Sequence, residues 1–443
     1  MGIRLSDHFT YKKLLRFVLP SIAMMVFISV YGVVDGFFVS NFAGKTSFAA
    51  INLVMPFVML LGGIGFMVGT GGTALVSKVL GEGNREKANR YFSMMVFLTL
   101  LLGVLLTAVG IAAMEPVARF LGATDAMIAD SVLYGRIVVG FTTAFMLQNV
   151  FQSFLIAAEK PKLGLLATIA AGLTNILLDA LFVGGFGWGV AGAAIATGIS
   201  QCVGGLLPLF YFLRPNDSLL RLVRTKPELA PLVKACTNGS SELMSSISSS
   251  VVSMVYNFQL LKYIGEDGVS AYGVLMYVQF IFVAIYIGYS VGCAPVIGYH
   301  YGAGNRDELK NLLRKSALLI GSAGVLLTLL ARLLASPLAS IFVGYDETLH
   351  ALTEHAFRLI SFSFLLSGFN IFTSAFFTAL NNGFVSAAIS FLRTLLFQTC
   401  CVLVLPVLFD IDGIWWAITA AEVFAFAISL TFLLTKRKKY GYM

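Results

Sequence analysis

The sequence predicts an all-α polytopic membrane protein with 12 transmembrane helices in two homologous six-helix bundles. Hydrophobic residues make up 58% of the 443 residues and charged residues only 12%, whereas a soluble globular domain carries about 25% charged residues. Many apolar runs reach the roughly 20 residues that a helix needs to cross a bilayer. The sequence lacks the alternating pattern of about 10 residues that is typical of transmembrane β-strands.

A repeated pentapeptide indicates that the two bundles are copies of one unit. GEGNR at Gly81–Arg85 returns as GAGNR at Gly302–Arg306, and the shift of 302 − 81 = 221 is about half of 443. The same shift aligns identical residues elsewhere, namely Met55 with Met276, Phe151 with Phe372, Ser153 with Ser374 and Gly192 with Gly413. We therefore predict an N-terminal lobe at 1–213, a cytoplasmic linker at 214–230 and a C-terminal lobe at 231–443.

Twelve helices follow from the long apolar runs and the polar segments between them. They are predicted at 14–40, 48–79, 91–114, 127–157, 163–183, 189–213, 231–262, 268–300, 312–334, 350–379, 384–409 and 412–435. Several exceed about 25 residues, so we expect them to tilt or to extend beyond the hydrocarbon.

The distribution of basic residues predicts the orientation in the membrane. Lysine and arginine cluster at both termini, after helices 2, 4 and 8, and in the linker. The loops on the opposite side hold only Lys45, Arg119, Lys262 and Arg332. By the positive-inside rule, both termini and both GxGNR loops are cytoplasmic. No cleavable signal peptide is evident, and we expect a multi-pass protein of the cytoplasmic (inner) membrane.

Two acids and an amide inside predicted spans are the first candidate functional residues. Asp35 interrupts the apolar end of helix 1, and Asn175 and Asp179 stand at i and i+4 in helix 5, on one helix face. Charged residues inside membrane spans are costly and usually face a cavity or a partner. Two neighbouring buried carboxyl groups can share a proton near neutral pH. A sodium ion could use the same oxygens, so residue type does not choose the ion.

A third acid, Glu242, lies in helix 7, in the second half of the chain. The acids of the first half are not duplicated there, since the shift of 221 places Tyr256 opposite Asp35 and Cys400 opposite Asp179. We therefore expect the two halves to have different roles.

Motifs of soluble enzymes are missing, and we predict no enzyme activity, no cofactor and no dedicated metal site. The G-x-G-x-x-G match at Gly187–Gly192 follows no βαβ unit and is interpreted as a turn. The four histidines form no zinc pattern, and the five cysteines are expected to be free, buried thiols. Arg136 and Arg358 are interpreted as structural, either snorkelling or in ion pairs near helix ends.

Together these features resemble the MATE (multidrug and toxic compound extrusion) transporters, over essentially the whole chain. The resemblance rests on six plus six helices, the duplicated GxGNR, Asp35, Asn-x3-Asp in helix 5 and Asn-Gly-Ser-Ser-Glu in helix 7. It implies two lobes about a central cleft, and a cation site formed by Asp35, Asn175, Asp179 and Thr197. A helix 10 aspartate of some sodium-linked members has no equivalent, and Asn370 is the nearest polar residue.

The leading hypothesis is a secondary antiporter that exports amphipathic, often cationic, organic compounds in exchange for protons or sodium ions. We expect a monomer that binds no nucleic acid. Its predicted substrate surface is Glu242, Tyr256, Asn257, Met276, Tyr277 and Phe280. A lipid-linked glycan flippase of the same superfamily is the alternative and would need a strongly cationic cleft, for which only Arg136, Arg358 and Arg393 are candidates within the predicted spans. A membrane-embedded transferase is a third hypothesis and would need clustered catalytic residues.

Overall fold

The computed structural model describes residues 3–38 and 45–443, which form helices and contain no β-strand. A non-helical segment at 214–228 joins the two halves, and the other connections are short. The first half contains α1 (Tyr11–Phe38), α2 (Lys45–Gly81), α3 (Arg85–Phe120), α4 (Ile128–Gly140 and Thr142–Ala157), α5 (Pro161–Asp179 with a π-helical end, Ala180–Gly185) and α6 (Gly189–Leu213). The second half begins with α7 (Leu229–Tyr263), α8 (Glu266–Gly302), α9 (Arg306–Val343) and α10 (Glu347–Ile360, a 3₁₀ turn Ser361–Ser363, and Phe364–Ala379).

The last two helices are continuous in hydrogen bonding but separated by a kink. After Gly383–Ser390 and the π-helical segment Phe391–Phe397, the helix Gln398–Tyr440 contains non-helical dihedral angles at Phe409 and Asp410. We therefore assign α11 to 383–408 and α12 to 411–440, which gives the twelve predicted helices.

Most of these helices are long and apolar enough to cross a bilayer. In the described residues, nine helices meet that condition, or ten when the two parts of α4, bent by 53°, count as one span. That count takes 383–440 as a single helix, although the kink divides it into two. The remaining helix, α7, contains many serines, which lower its mean hydropathy.

The two GxGNR loops have the same local structure, which explains why the pentapeptide is repeated. Gly83 and Gly304 both adopt left-handed backbone angles, with φ of +80° and +68°, where a side chain would cause strain. Asn84 and Asn305 then cap the following helices through their side chains, accepting hydrogen bonds of 3.0 Å from the backbone N–H groups of Lys87 and Glu308.

Both loops lie on the same face of the molecule as the two chain termini. The backbone N–H of Phe9 donates to Glu308, at the start of α9, over 2.9 Å. At the other end of the chain, the ring of Tyr440 packs against Tyr301 with centroids 5.6 Å apart. The structure thus agrees with an even number of crossings, whereas the assignment of this face to the cytoplasm stays a prediction.

The two halves contact each other along a seam on this same face, which we call the interlobe seam. It consists of α1 against α8 and of α2 against α7 and α8. Glycines allow backbone to meet backbone there, because a Cβ atom on Gly239 would contact α2 and one on Gly288 would lie 2.7 Å from the Ser21 carbonyl oxygen. Gly81 and Gly302, the first residues of the two GxGNR motifs, pack in the same way. The halves are therefore closed against each other at the GxGNR face.

One minor expectation was wrong. All five cysteines are free, but only Cys293 and Cys401 are buried, and Cys400 is exposed because it lies on the outer side of α11.

Candidate functional site

The centre of the first half brings together the acids that the sequence singled out. Asp179 and Asn175, on α5, are 0% and 2% exposed. The carboxyl group of Asp35, on α1, faces both of them, because α1 packs along α5. A π-helical segment starts directly after Asp179, and such segments are frequent at functional sites.

Two further side chains complete this acid site. Tyr134, from the first part of α4, is 1% exposed. Its hydroxyl group lies beside Thr197, on α6, and near both the Asp35 and the Asp179 carboxyl groups. Thr197 was predicted from the family resemblance, whereas Tyr134 was missed because one tyrosine in an apolar helix gives no distinct sequence signal.

The polar atoms of this site are close to one another but lack regular hydrogen bonds. Oδ1 of Asp35, both carboxyl oxygens of Asp179, Nδ2 of Asn175 and Oγ1 of Thr197 are buried, and none has a hydrogen bond of standard geometry among the described residues. Leaving such atoms unsatisfied costs about 1–3 kcal/mol each, and more for charged groups. Adjacent carboxylates also repel each other unless a proton or a cation lies between them. The site is therefore suited to hold a small cation.

The donor set is all oxygen and amide. Such ligands fit a proton or a hard cation such as Na⁺ better than a transition metal. Within residues 3–38 and 45–443, no group of three or more His, Cys, Asp or Glu side chains could hold a metal ion.

Glu242 lies apart from this acid site, on the surface of α7 that meets the first half. Leu243 and Ser246, one and four residues later on the same helix, pack against α2. A Cβ atom on Gly63 of α2 would lie 3.1 Å from the Ser246 hydroxyl oxygen. In the part of the chain that the structure describes, the Glu242 carboxyl group has no ion pair or hydrogen bond. An acid without a counter-ion at an interface between halves attracts cations.

The predicted aromatic substrate residues occupy two different environments. Tyr277 and Phe280, on α8, are 42% and 52% exposed, and the Tyr277 hydroxyl group is only 3.8 Å from where a Cβ atom on Gly36 would lie. Tyr277 thus reaches α1 next to Asp35. Tyr256, in contrast, is 1% exposed and stacks on Tyr272 with ring centroids 5.0 Å apart. The other two predicted residues, Asn257 and Met276, are partly buried.

The second half contains a charged cluster of its own, and one member, Glu422, was not predicted from the sequence. Arg393, in the π-helical segment of α11, forms an ion pair with Glu422 of α12, with Nη2–Oε1 2.7 Å and Nε–Oε1 2.9 Å. Asn370 of α10 donates to Oε2 of the same carboxylate over 2.6 Å. Glu422 follows Ala421 and precedes Val423 inside a predicted span, the same signal that pointed to Asp35, so the sequence could have revealed it.

The other two arginines in the spans differ in their contacts. Arg358 forms an ion pair of 2.6 Å with Glu354, one turn earlier, so its structural interpretation is confirmed. Arg136 borders a surface cavity between α3 and α4, together with Glu115 and Arg119.

Comparisons with known proteins agree with this architecture. The MatE family model matches residues 20–181 and 243–402, more than half of the chain. The multidrug export protein MepA of Staphylococcus saprophyticus is 25% identical over 437 residues, covering 96% of this chain and 94% of that protein. MepA of Staphylococcus aureus (strain MRSA252) is 23% identical over 414 residues, with coverage of 93% and 91%. An outward-facing conformation of a multidrug resistance MATE family transporter of the MOP superfamily superimposes with a TM-score of 0.93, at 21% identity, over 98% of both chains.

Proposed function

The chain belongs to the MatE family, that of the MATE multidrug efflux transporters, and on that premise we propose that it is a secondary antiporter. It exports amphipathic, often cationic, organic compounds in exchange for protons or sodium ions. The observation that carries this proposal is the site at which Asp35 and Asp179 face each other, because Oδ1 of Asp35 and both carboxyl oxygens of Asp179 are buried without hydrogen bonds of standard geometry among the described residues.

Antiport requires that ion and cargo stabilise different conformations, since a ligand shifts an equilibrium only through its differential affinity for the two states. The acid site is built from α1, α4, α5 and α6, so a change in its charge acts on the packing of four helices of one half. Loss of the negative charge removes the repulsion between Asp35 and Asp179 and allows α1 to move closer to α5. Because α1 also packs on α8 at the interlobe seam, its movement reaches the second half.

The cargo is proposed from chemistry at the contact between the halves. Glu242 supplies a negative charge that has no partner among the described residues. Tyr277 reaches α1 across the contact, and Phe280, exposed one turn later on the same helix, adds apolar and cation–π surface. The two Staphylococcus relatives are named multidrug export proteins, which is consistent with such a surface. We further propose a monomer in the cytoplasmic membrane with both termini inside.

The flippase alternative receives less support from the charges. A pyrophosphate group needs free cationic side chains, but Arg358 and Arg393 are both occupied by carboxylates. Only Arg136 remains among the three arginines that the sequence offered within spans.

Efflux of a cationic dye from proteoliposomes, under separately imposed proton and sodium gradients, tests the proposal. Asp35→Asn and Asp179→Asn should each reduce gradient-driven efflux at least about tenfold, and the double variant should be no worse, because residues that act as a unit are non-additive. Asp267→Asn, an exposed acid at the start of α8, is the matched control and should transport normally. Wild-type efflux by both single variants under either gradient would contradict coupling at this site.

A further inference from the structure

Arg136, in the first part of α4, is a charged side chain that neither the acid site nor the proposed cargo surface uses. It is exposed, and it has no ion pair or hydrogen bond among the described residues. The residues outside the described part of the chain, 1–2 and 39–44, include no acid. Arg136 lies eight residues after Ile128, the first residue of α4, which places it about 12 Å along the helix axis from that end. An arginine inside a membrane span is costly and usually has a partner, but no described residue supplies one.

Arg136 borders a surface cavity of about 400 Å³ between α3 and α4. Deeper in the molecule the two helices are in close contact. A Cβ atom on Gly110 of α3 would lie 2.7 Å from the Val139 side chain, and one on Gly135 of α4 would meet the side chain of Met114. The cavity lies nearer the helix ends that are opposite the GxGNR loops, because α3 begins directly after the first of these loops and ends beside the start of α4.

The lining of the cavity combines apolar side chains with a net positive charge. Leu133, which is 46% exposed, lies on the same face of α4 as Arg136. On α3, Arg119 donates to Glu115 over 3.2 Å, and it also lies 3.9 Å from Asp125, a fully exposed acid of the following loop. Two arginines and one glutamate line the cavity, so the lining carries one net positive charge, and the guanidinium group without a carboxylate partner is that of Arg136.

The second half of the chain supplies a carboxylate at the corresponding arginine. Arg136 corresponds to Arg358 at a shift of 358 − 136 = 222, and the same shift places Val132 opposite Glu354. Arg358 forms an ion pair of 2.6 Å with Glu354. A valine stands in the first half where the second half has this carboxylate, so Arg136 lacks the anion that the chain provides for its counterpart.

We propose that the cavity between α3 and α4 binds an anionic phospholipid, whose phosphate group pairs with the guanidinium group of Arg136. The planar guanidinium group matches phosphate oxygens through parallel N–H donors. The single negative charge of the lipid balances the net positive charge of the lining. The acyl chains lie along Leu133 and the outer side of α3, where Ile111 and Val104 are 37% and 63% exposed.

This lipid is a resident ligand and not the exported cargo. The first part of α4 packs against α2, α3 and α6 of the first half, and the cavity lies at the end of the molecule opposite the interlobe seam. The same part of α4 carries Tyr134, whose hydroxyl group lies near Asp35 and Asp179. A lipid held at Arg136 therefore stabilises the helix segment that positions Tyr134.

The test measures which lipid is preferred next to the cavity. Leu133→Cys, in a cysteine-free background, is labelled with bimane, and the full-length protein is reconstituted in phosphatidylcholine vesicles. Increasing fractions of dibrominated phosphatidylglycerol or, separately, dibrominated phosphatidylcholine are then included. Bromine quenches a nearby fluorophore, so the two quenching curves give the relative binding constant of the lipids at this position. We expect phosphatidylglycerol to be preferred about fivefold, the effect of about one arginine on an anionic lipid.

Two variants test the role of the guanidinium group. Arg136→Gln removes the charge, and Val132→Glu provides the carboxylate that the second half has one turn before its arginine. Each should abolish the preference for phosphatidylglycerol at the Leu133 reporter. Arg358→Gln is the matched control in the second half and should leave the preference unchanged. Because Arg136 is exposed, Arg136→Gln is expected to fold, and it is sufficient for the test if Val132→Glu is not recovered.

A second reporter separates this site from a general attraction of anionic lipid. Ile341→Cys lies in the second half, is 74% exposed, and borders a cavity that Glu347 lines without any lysine or arginine. Its quenching should show no preference for phosphatidylglycerol. Equal quenching by the two lipids at Leu133, the same preference at Ile341, or an unchanged preference in Arg136→Gln or Val132→Glu would each overturn the proposal. The readout is lipid binding, so the result is independent of which ion drives transport.

Discussion

Gly302→Ala should weaken the interlobe seam and shift the protein towards the state that is open at the GxGNR face. A Cβ atom at this position would lie 2.7 Å from the Lys78 carbonyl carbon and 2.9 Å from its Cα, and would contact its carbonyl oxygen. Carbon atoms normally rest about 3.5–4.0 Å apart, so α2 and α8 must separate by about 1 Å. Overpacking of this kind costs about 1–3 kcal/mol, which corresponds to about a 5- to 150-fold change in the population ratio.

The shift can be measured as the rate of maleimide reaction with a buried reporter on the seam. Ser77→Cys, in a cysteine-free background, suits this purpose because Ser77 is 0% exposed and faces Gly298 of α8. Gly302→Ala should raise the rate at which the Ser77→Cys reporter reacts with maleimide several-fold or more. Gly273→Ala is the matched control on the same helix, since a Cβ atom at Gly273 has no neighbour within 4 Å. Unchanged reactivity in folded Gly302→Ala, or an equal rise in the control, would refute this account of the seam.

Three further predictions address the acid site, the cargo and the orientation. Tyr134→Phe keeps the ring but removes the hydroxyl group beside both carboxyl groups. It should slow gradient-driven efflux about 3- to 10-fold with Tm unchanged, and an unaltered rate would show that Tyr134 serves only in packing. Glu242→Gln should impair efflux of cationic dyes more than that of neutral ones in the same vesicles, whereas an equal effect on both would remove its role in charge selection. Cysteines at Asn84 and Asn305 should resist labelling by an impermeant reagent in intact cells, and labelling of either would reverse the predicted orientation.

The helices and their repeat could be predicted from sequence because they depend on strong, local signals. Apolar runs define the spans. The residues of the GxGNR motif indicate a turn, because they supply a glycine for the positive φ and an asparagine that caps the next helix. The break in α4 at Phe141 and the π-helical segments of α5 and α11 were not predicted. They arise from packing between helices, and no local residue pattern marks them.

The candidate sites were predictable to the extent that charge in an apolar run is visible. Asp35, Asp179 and Glu242 were found in that way, and Glu422 has the same signal. Tyr134 could not be found, because its role depends on the fold that brings α4 next to α1 and α5. The same limit applies to Tyr256, whose stacking on Tyr272 removes it from the exposed surface although its position in helix 7 suggested a lining residue.

Under the proposed antiport, the distribution of charge between the halves would allow a duplicated fold to carry out a directional exchange. In the first half, Asp35 and Asp179 face each other, and neither has a cationic side chain beside it among the described residues. In the second half, Glu422 is neutralised within the chain by Arg393. If an ion exchanges at Asp35 and Asp179 as proposed, it would change the electrostatics of only one half, and the other half would serve as a fixed body for the movement of α1. The glycine contacts of the interlobe seam would then convert a small displacement of α1 into opening or closing, because tightly packed backbones either meet or separate and have no stable intermediate spacing.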